Sequence, residues 1–193
     1  FPSVKLPNGV DMPVVLLGTG ASTWSNDTST EQSVSDGLVA GFPGIDGANH
    51  YANQVGVARG IADARKKGVK GKIWVTTKVE GCGSSSNSPV VQGKCFSDTL
   101  DVFDQNLQQL QLDQVDLTIL HGPPCVPNAP WTQGCEGPGP VYPHMCNCTE
   151  EIPCQMMQGQ WAALEQRYKE GKTRALGVSN FCAACLDCIL QNS

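Results

Sequence analysis

The chain of 193 residues predicts an α/β fold in which strand–helix units build a parallel sheet behind an N-terminal hairpin. Three observations lead there. Strand-like runs at residues 14–19, 42–46, 73–77, 115–120 and 174–178 alternate with segments of helical apolar spacing. Glycines close most of the helical segments, where a chain reversal needs them. The length suits one domain over residues 1–193 with a sizeable core.

Residues 4–12 hold Asn8-Gly9 between short alternating runs, the signal of a type I′ hairpin. The run 14–19 follows and ends in Gly18-Thr19-Gly20. Residues 30–40 place Val34 and Leu38 four apart and stop at Gly41. After the second strand, Val55, Ala58, Ile61, Ala62 and Arg65 keep helical spacing up to Gly68. The third strand leads to a helix over 98–112 whose stripe is Leu100, Phe103, Leu107 and Leu110. Beyond the fourth strand, a Cys/Pro/Gly-rich insertion at about 122–155 is long enough to serve as a functional loop. A helix over 156–171, the fifth strand and a last helix over 181–190 complete five units.

Charge and composition exclude some classes. A net charge of -5 and no basic run leave nucleic acid without an electrostatic footprint. No apolar stretch reaches the roughly 20 residues of a transmembrane segment.

All ten cysteines lie between Cys82 and Cys188. Cys82 and Cys95 bracket a Gly/Ser-rich loop as a stapling disulfide would, and Cys125, Cys135, Cys146, Cys148 and Cys154 sit in or near the insertion. With sequons at Asn26 and Asn147, this usage predicts a disulfide-bonded glycoprotein of an oxidising extracytosolic compartment, secreted or lumenal. The run Cys182-x-x-Cys185-x-x-Cys188 has iron–sulfur spacing but lacks the fourth Cys followed by Pro, so no metal site is expected.

Four residues form a candidate proton-transfer set: Asp46, Tyr51, Lys78 and His121. Each lies at or just past a strand-like run, in Gly44-Ile45-Asp46-Gly47-Ala48-Asn49-His50-Tyr51, Ile73-Trp74-Val75-Thr76-Thr77-Lys78 and Val115-Asp116-Leu117-Thr118-Ile119-Leu120-His121. With Leu176-Gly177-Val178-Ser179-Asn180-Phe181, these stretches resemble the aldo-keto reductase family from about Val4 onward. The resemblance implies a TIM-barrel-like (β/α)8 architecture, of which this chain carries about five units, and NADPH-dependent reduction of an aldehyde or ketone. A closed barrel typically needs roughly 250 residues. The family's phosphate grip lies in barrel elements seven and eight, beyond these five units.

In that chemistry a proton must reach the carbonyl oxygen as negative charge builds there. A phenol of ordinary pKa, about 10, yields its proton reluctantly, and a neighbouring ammonium favours the phenolate. Tyr51 is thus the expected general acid, with Lys78 and Asp46 tuning it and His121 orienting the substrate oxygen. The resemblance implies that Ser179 and Asn180 hold the nicotinamide carboxamide, with Thr19 a further cofactor candidate.

The chain departs from the family where aromatic walls are usual: Gly20, Glu80 and Gly122 stand where Trp is common. Gly47 and Gln54 replace a small residue and a Glu beside the Asp–Tyr motif. The expectation is an NADP(H)-dependent oxidoreductase taking a small carbonyl substrate through a wide, polar mouth. The alternative is a non-catalytic structural or interaction subunit of a larger assembly, whose protein partner covers an open sheet edge. A ligand-binding module would rest on Trp131 and Tyr142 of the insertion.

Overall fold

The computed structural model describes residues 1–20, 26–83, 89–90, 93–124 and 151–191. Expectations placed on Cys125, Cys135, Cys146, Cys148, the Asn147 sequon, Trp131, Tyr142 and the loop 84–88 lie outside these residues.

The hairpin consists of β1 (Ser3–Lys5) and β2 (Asp11–Pro13), with Lys5 opposite Asp11. Its turn is not type I′. Gly9 N donates to Leu6 O at 2.8 Å, Gly9 has φ +82° and Asn8 keeps a negative φ. Pro7 presets the first turn position near φ −65°, so a type I turn forms and Gly9 is the left-handed residue after it.

Strands and helices then alternate: β3 (Leu17–Gly18), α1 (Asp27–Val39), β4 (Gly44–Asp46), α2 (Gln54–Lys66), β5 (Trp74–Val79), α3 (Cys95–Leu110), β6 (Leu117–Leu120), α4 (Glu151–Lys169), β7 (Leu176–Val178) and α5 (Ala183–Leu190). Each strand pairs in parallel with the next in sequence, giving the order β3-β4-β5-β6-β7. All five carboxyl ends therefore leave the sheet on one side.

Boundaries differ from expectation where local chemistry intervenes. α4 begins at Glu151, inside the insertion expected to run to about 155, and Pro153 falls in its first turn, where a missing N–H is tolerated. α3 begins at Cys95, which is disulfide-bonded to Cys82, so the predicted loop staple is present. α1 starts at Asp27, because Asn26 and Ser29 form a reciprocal capping box.

All six residues of the central strand β5 are buried, as in a strand covered on both faces. Ile45, Val75, Val79 and Leu120 of the sheet meet Phe103, Leu107, Leu110 and Leu164 of the covering helices. α1 and α2 pack closely because Gly60 has no side chain; a Cβ there would come within 2.6 Å of Glu31 O. A smaller cluster joins Met157, Cys185, Cys188 and Ile189, where Cys154 is bonded to Cys188 across α4 and α5. That bond leaves Cys188 with no thiolate for the iron–sulfur spacing noted above.

The opposite end of the sheet is tied by charge. Buried Asp116 accepts from Val75 N at 3.0 Å and pairs with Lys72 and Arg174. Asn8 Nδ2 donates to Arg174 O at 2.8 Å, so the hairpin reaches the amino end of β7 and helps close the bottom of the sheet.

Candidate active site

The carboxyl ends of β4, β5 and β6 bring the four predicted residues together. Asp46 ends β4, Lys78 lies in β5, and His121 directly follows β6. The register pairs Asp46 with Thr76 and Lys78 with Ile119, so Lys78 and His121 each lie two residues beyond the partner of the preceding site position. Tyr51 arrives by a 3-10 turn, Asn49–Tyr51, closed by Ala52 at φ +50°.

Lys78 is 5% exposed, and its Nζ donates to Asp46 Oδ1 and, at 2.9 Å, to Gly47 O. A desolvated ammonium needs both a counter-charge and further acceptors, and this one has them. The same Nζ lies 5.1 Å from the centre of the Tyr51 ring. The His121 ring meets Tyr51 edge-on, with centroids 5.6 Å apart at 80°. Burial, and next the Lys78 ammonium, lower the His121 pKa to about 4. At neutral pH the imidazole is uncharged, and one ring nitrogen carries a proton to donate.

The three cofactor candidates divide into two groups. Asn180, at φ +61°, donates from Nδ2 to His121 O at 2.7 Å and to Ser179 Oγ at 3.1 Å. Ser179 N donates to Leu120 O at 2.9 Å, so both residues are strapped to the end of β6 beside the four. The amide oxygen of Asn180 and the hydroxyl of Ser179 are of the right type to meet a carboxamide. Thr19 sits differently. It is buried, and both its N–H and its hydroxyl donate to Asp46 O, at 3.0 and 3.3 Å. Its hydroxyl is engaged in holding the β4 end in place.

The departures from the family pattern have structural partners. Gly20 lies under the Tyr51 ring, and a Cβ there would come within 2.6 Å of Tyr51 Cζ. Among the described residues, a Cβ at Gly122 would touch nothing within 4 Å. Gln54 is fully buried in a neutral cluster: it donates to Asn106 Oδ1 and Gln109 Oε1 at 2.8 and 3.0 Å and accepts from Thr77 Oγ1 at 2.6 Å. Asn49 also donates to Asn106 Oδ1, at 2.8 Å, and Asn106 Nδ2 donates to Lys78 O at 3.3 Å. This cluster fixes the turn bearing Tyr51 against the strand bearing Lys78.

Sequence reasoning did not find the pairing of His50 Nδ1 with Glu80 Oε1 beside the four. Its signal was present, since His50 precedes Tyr51 and Glu80 follows Lys78 by two residues.

The sequence matches the aldo/keto reductase family over residues 14–192. The chain belongs to that family. It is 31% identical over 192 residues to glyoxal reductase of Bacillus subtilis, covering 99% of this chain and 54% of the relative. It is 30% identical over 203 residues to the NAD(P)H-dependent D-xylose reductase of Scheffersomyces stipitis, covering 100% and 56%. The solved aldo/keto reductase of Brucella melitensis superposes with a TM-score of 0.70 at 28% identity, covering 100% of this chain and 58% of that one. The chain thus spans about half the length of the curated relatives it matches. The five parallel strand–helix units are the shared part of the family's barrel-like fold.

Proposed function

We propose that this chain carries the proton-transfer half of an NADPH-dependent reductase of small aldehydes or ketones. One observation supports this most. Buried Lys78 is held between the Asp46 carboxylate and the Tyr51 ring, with a neutral His121 edge-on to that ring. Similarity to reductases of glyoxal and D-xylose adds to it.

NADPH, when bound, supplies the hydride that adds to the carbonyl carbon. Tyr51 gives its hydroxyl proton to the carbonyl oxygen as charge builds there. The Lys78 ammonium favours the phenolate left behind, and Asp46 with Gly47 O keeps that ammonium in place. His121 donates a hydrogen bond to the substrate oxygen and orients it. Ser179 and Asn180 hold the carboxamide end of the nicotinamide, with Thr19 acting only through Asp46.

The disulfides and the exposed sequon at Asn26 support the finer reading of a glycosylated protein in an oxidising extracytosolic compartment. The outer edge of β7 is a place for a further strand or a protein partner.

Titration with NADPH, followed by its fluorescence, together with carbonyl-dependent loss of its absorbance, tests the reading. Saturable binding that weakens in Asn180→Ala, and turnover of a small aldehyde, are expected. No binding and no turnover would overturn the reductase reading and pass the chain to that of a non-catalytic interaction subunit.

A further inference from the structure

Helix α2 opens at Asn53, two residues after Tyr51, yet the Asn53 side chain does not cap it. An asparagine in that place ordinarily accepts from the third helical N–H, which here belongs to Gly56. Gly56 N donates instead to Asp27 Oδ1 of α1, at 2.7 Å. The cap is supplied by a neighbouring helix, and the residue suited to it is turned elsewhere.

Asn53 is fully buried, and its Nδ2 donates to Thr19 O at 2.9 Å and to Thr30 Oγ1 at 3.1 Å. A carbonyl oxygen only accepts, so the atom facing Thr19 O is the amide nitrogen. Asn53 Oδ1 is left with no hydrogen-bond partner among the described residues. A buried acceptor without a partner is destabilising, so this orientation of the amide has a cost. What it secures is one carbonyl, that of the peptide linking Thr19 to Gly20. Gly20 is the residue under the Tyr51 ring, and a rotation of that peptide would move it.

We propose that Asn53 is a positioning residue for the proton donor. By holding the Thr19–Gly20 peptide, it keeps the floor beneath Tyr51 in place. The ring thereby stays at its distances from Lys78 and His121. This rests on the reductase reading above. Asn53 acts through Gly20 and Tyr51, so its loss slows the chemical step and spares cofactor binding.

The test measures kcat, NADPH binding and thermal unfolding in the full chain and in Asn53→Ala, Asn53→Ser and Thr30→Val. It adds the NMR Overhauser effect between the Tyr51 ring protons and the Gly20 α-protons. Thr30→Val removes the other acceptor of the same amide and leaves the bond to Thr19 O. Asn53→Ser, whose hydroxyl can cap α2 but is too short for Thr19 O, serves where Asn53→Ala does not fold. The Asn53 variants are expected to lose about tenfold or more in kcat, with a weakened Overhauser effect and unchanged NADPH binding. Thr30→Val should lower Tm and keep both kcat and the Overhauser effect. Unchanged kcat in a folded Asn53 variant, or an equal loss in Thr30→Val, would overturn the assignment. Absence of turnover in the unsubstituted chain would instead overturn the reductase reading, and the Overhauser effect then decides the positioning. Its loss in Asn53→Ser and not in Thr30→Val supports it; loss in both or in neither overturns it.

Discussion

The ring of Tyr51 occupies the space that a side chain at Gly20 would need. The residue expected to donate the proton is therefore positioned by the absence of an atom on a neighbouring strand end. Gly20→Ala should push the ring away from Lys78 and His121. A displacement of about 1 Å at a reacting centre can cost as much as ~100-fold in rate. Turnover is expected to fall about tenfold or more in Gly20→Ala, with cofactor binding kept. Equal kcat in both proteins would show that the ring's present place is irrelevant.

His121 should titrate near pH 4, because burial and then the Lys78 ammonium disfavour its charged form. Between the ordinary value of 6.5 and about 4, the unfolded chain takes a proton that the folded one refuses. Stability is therefore full above pH 6.5, declines as the pH falls toward 4, and changes no further from this group below that. His121→Gln should flatten this part of the stability–pH curve. An imidazole midpoint near 6.5 by NMR would contradict it.

Removing either partner of the Lys78–Asp46 pair has unequal consequences. Asp46→Ala leaves an ammonium that is 5% exposed with Gly47 O as its remaining acceptor among the described residues, whereas Lys78→Met removes the buried charge itself. The Asp46 side chain is 40% exposed, so water replaces part of the lost partner. Asp46→Ala is expected to cost about 1–3 kcal/mol, and Lys78→Met less, although both suppress turnover. Urea midpoints in the reverse order would refute the pairing argument.

The amide cluster around Gln54 makes a prediction of its own. Gln54→Glu restores the residue usual in the family but cannot donate to Asn106 and Gln109. It should destabilise by about 1–3 kcal/mol, because the buried Asn106 acceptor and the part-buried Gln109 acceptor then face a carboxylate. A neutral or stabilising effect in thermal unfolding would mean that the cluster rearranges freely.

The disulfides should matter in proportion to the chain they close. The Cys154–Cys188 bond spans 34 positions and Cys82–Cys95 spans 13. Loop-closure entropy gives about 4 and 3 kcal/mol respectively, so Cys154→Ala should lower Tm more than Cys82→Ala. Equal shifts would point to packing rather than chain entropy.

What was legible in the sequence follows range. Asp46, Tyr51, Lys78 and His121 were readable because each sits in a short motif at the end of a strand, and parallel topology brings such ends together. The Cys82–Cys95 staple was readable for the same local reason. The His50–Glu80 pair joins positions 30 apart, signalled only by nearness in sequence to Tyr51 and Lys78, and the Gln54–Asn106 bond joins positions 52 apart and leaves no local pattern. The hairpin turn was misread because Pro7, not Asn8-Gly9, sets its first corner. The early start of α4 was hidden by Pro153, which reads as a breaker unless its place in the first turn is known.

The most direct test of the account replaces Tyr51 by Phe, which keeps the ring over Gly20 and removes only the hydroxyl. Carbonyl-dependent NADPH consumption is to be measured in both proteins beside NADPH binding. Turnover should fall at least about 100-fold, the scale of a lost general acid, while binding stays the same. Unchanged turnover in Tyr51→Phe would contradict the assignment of the proton donor and, with it, the chemistry proposed for this site.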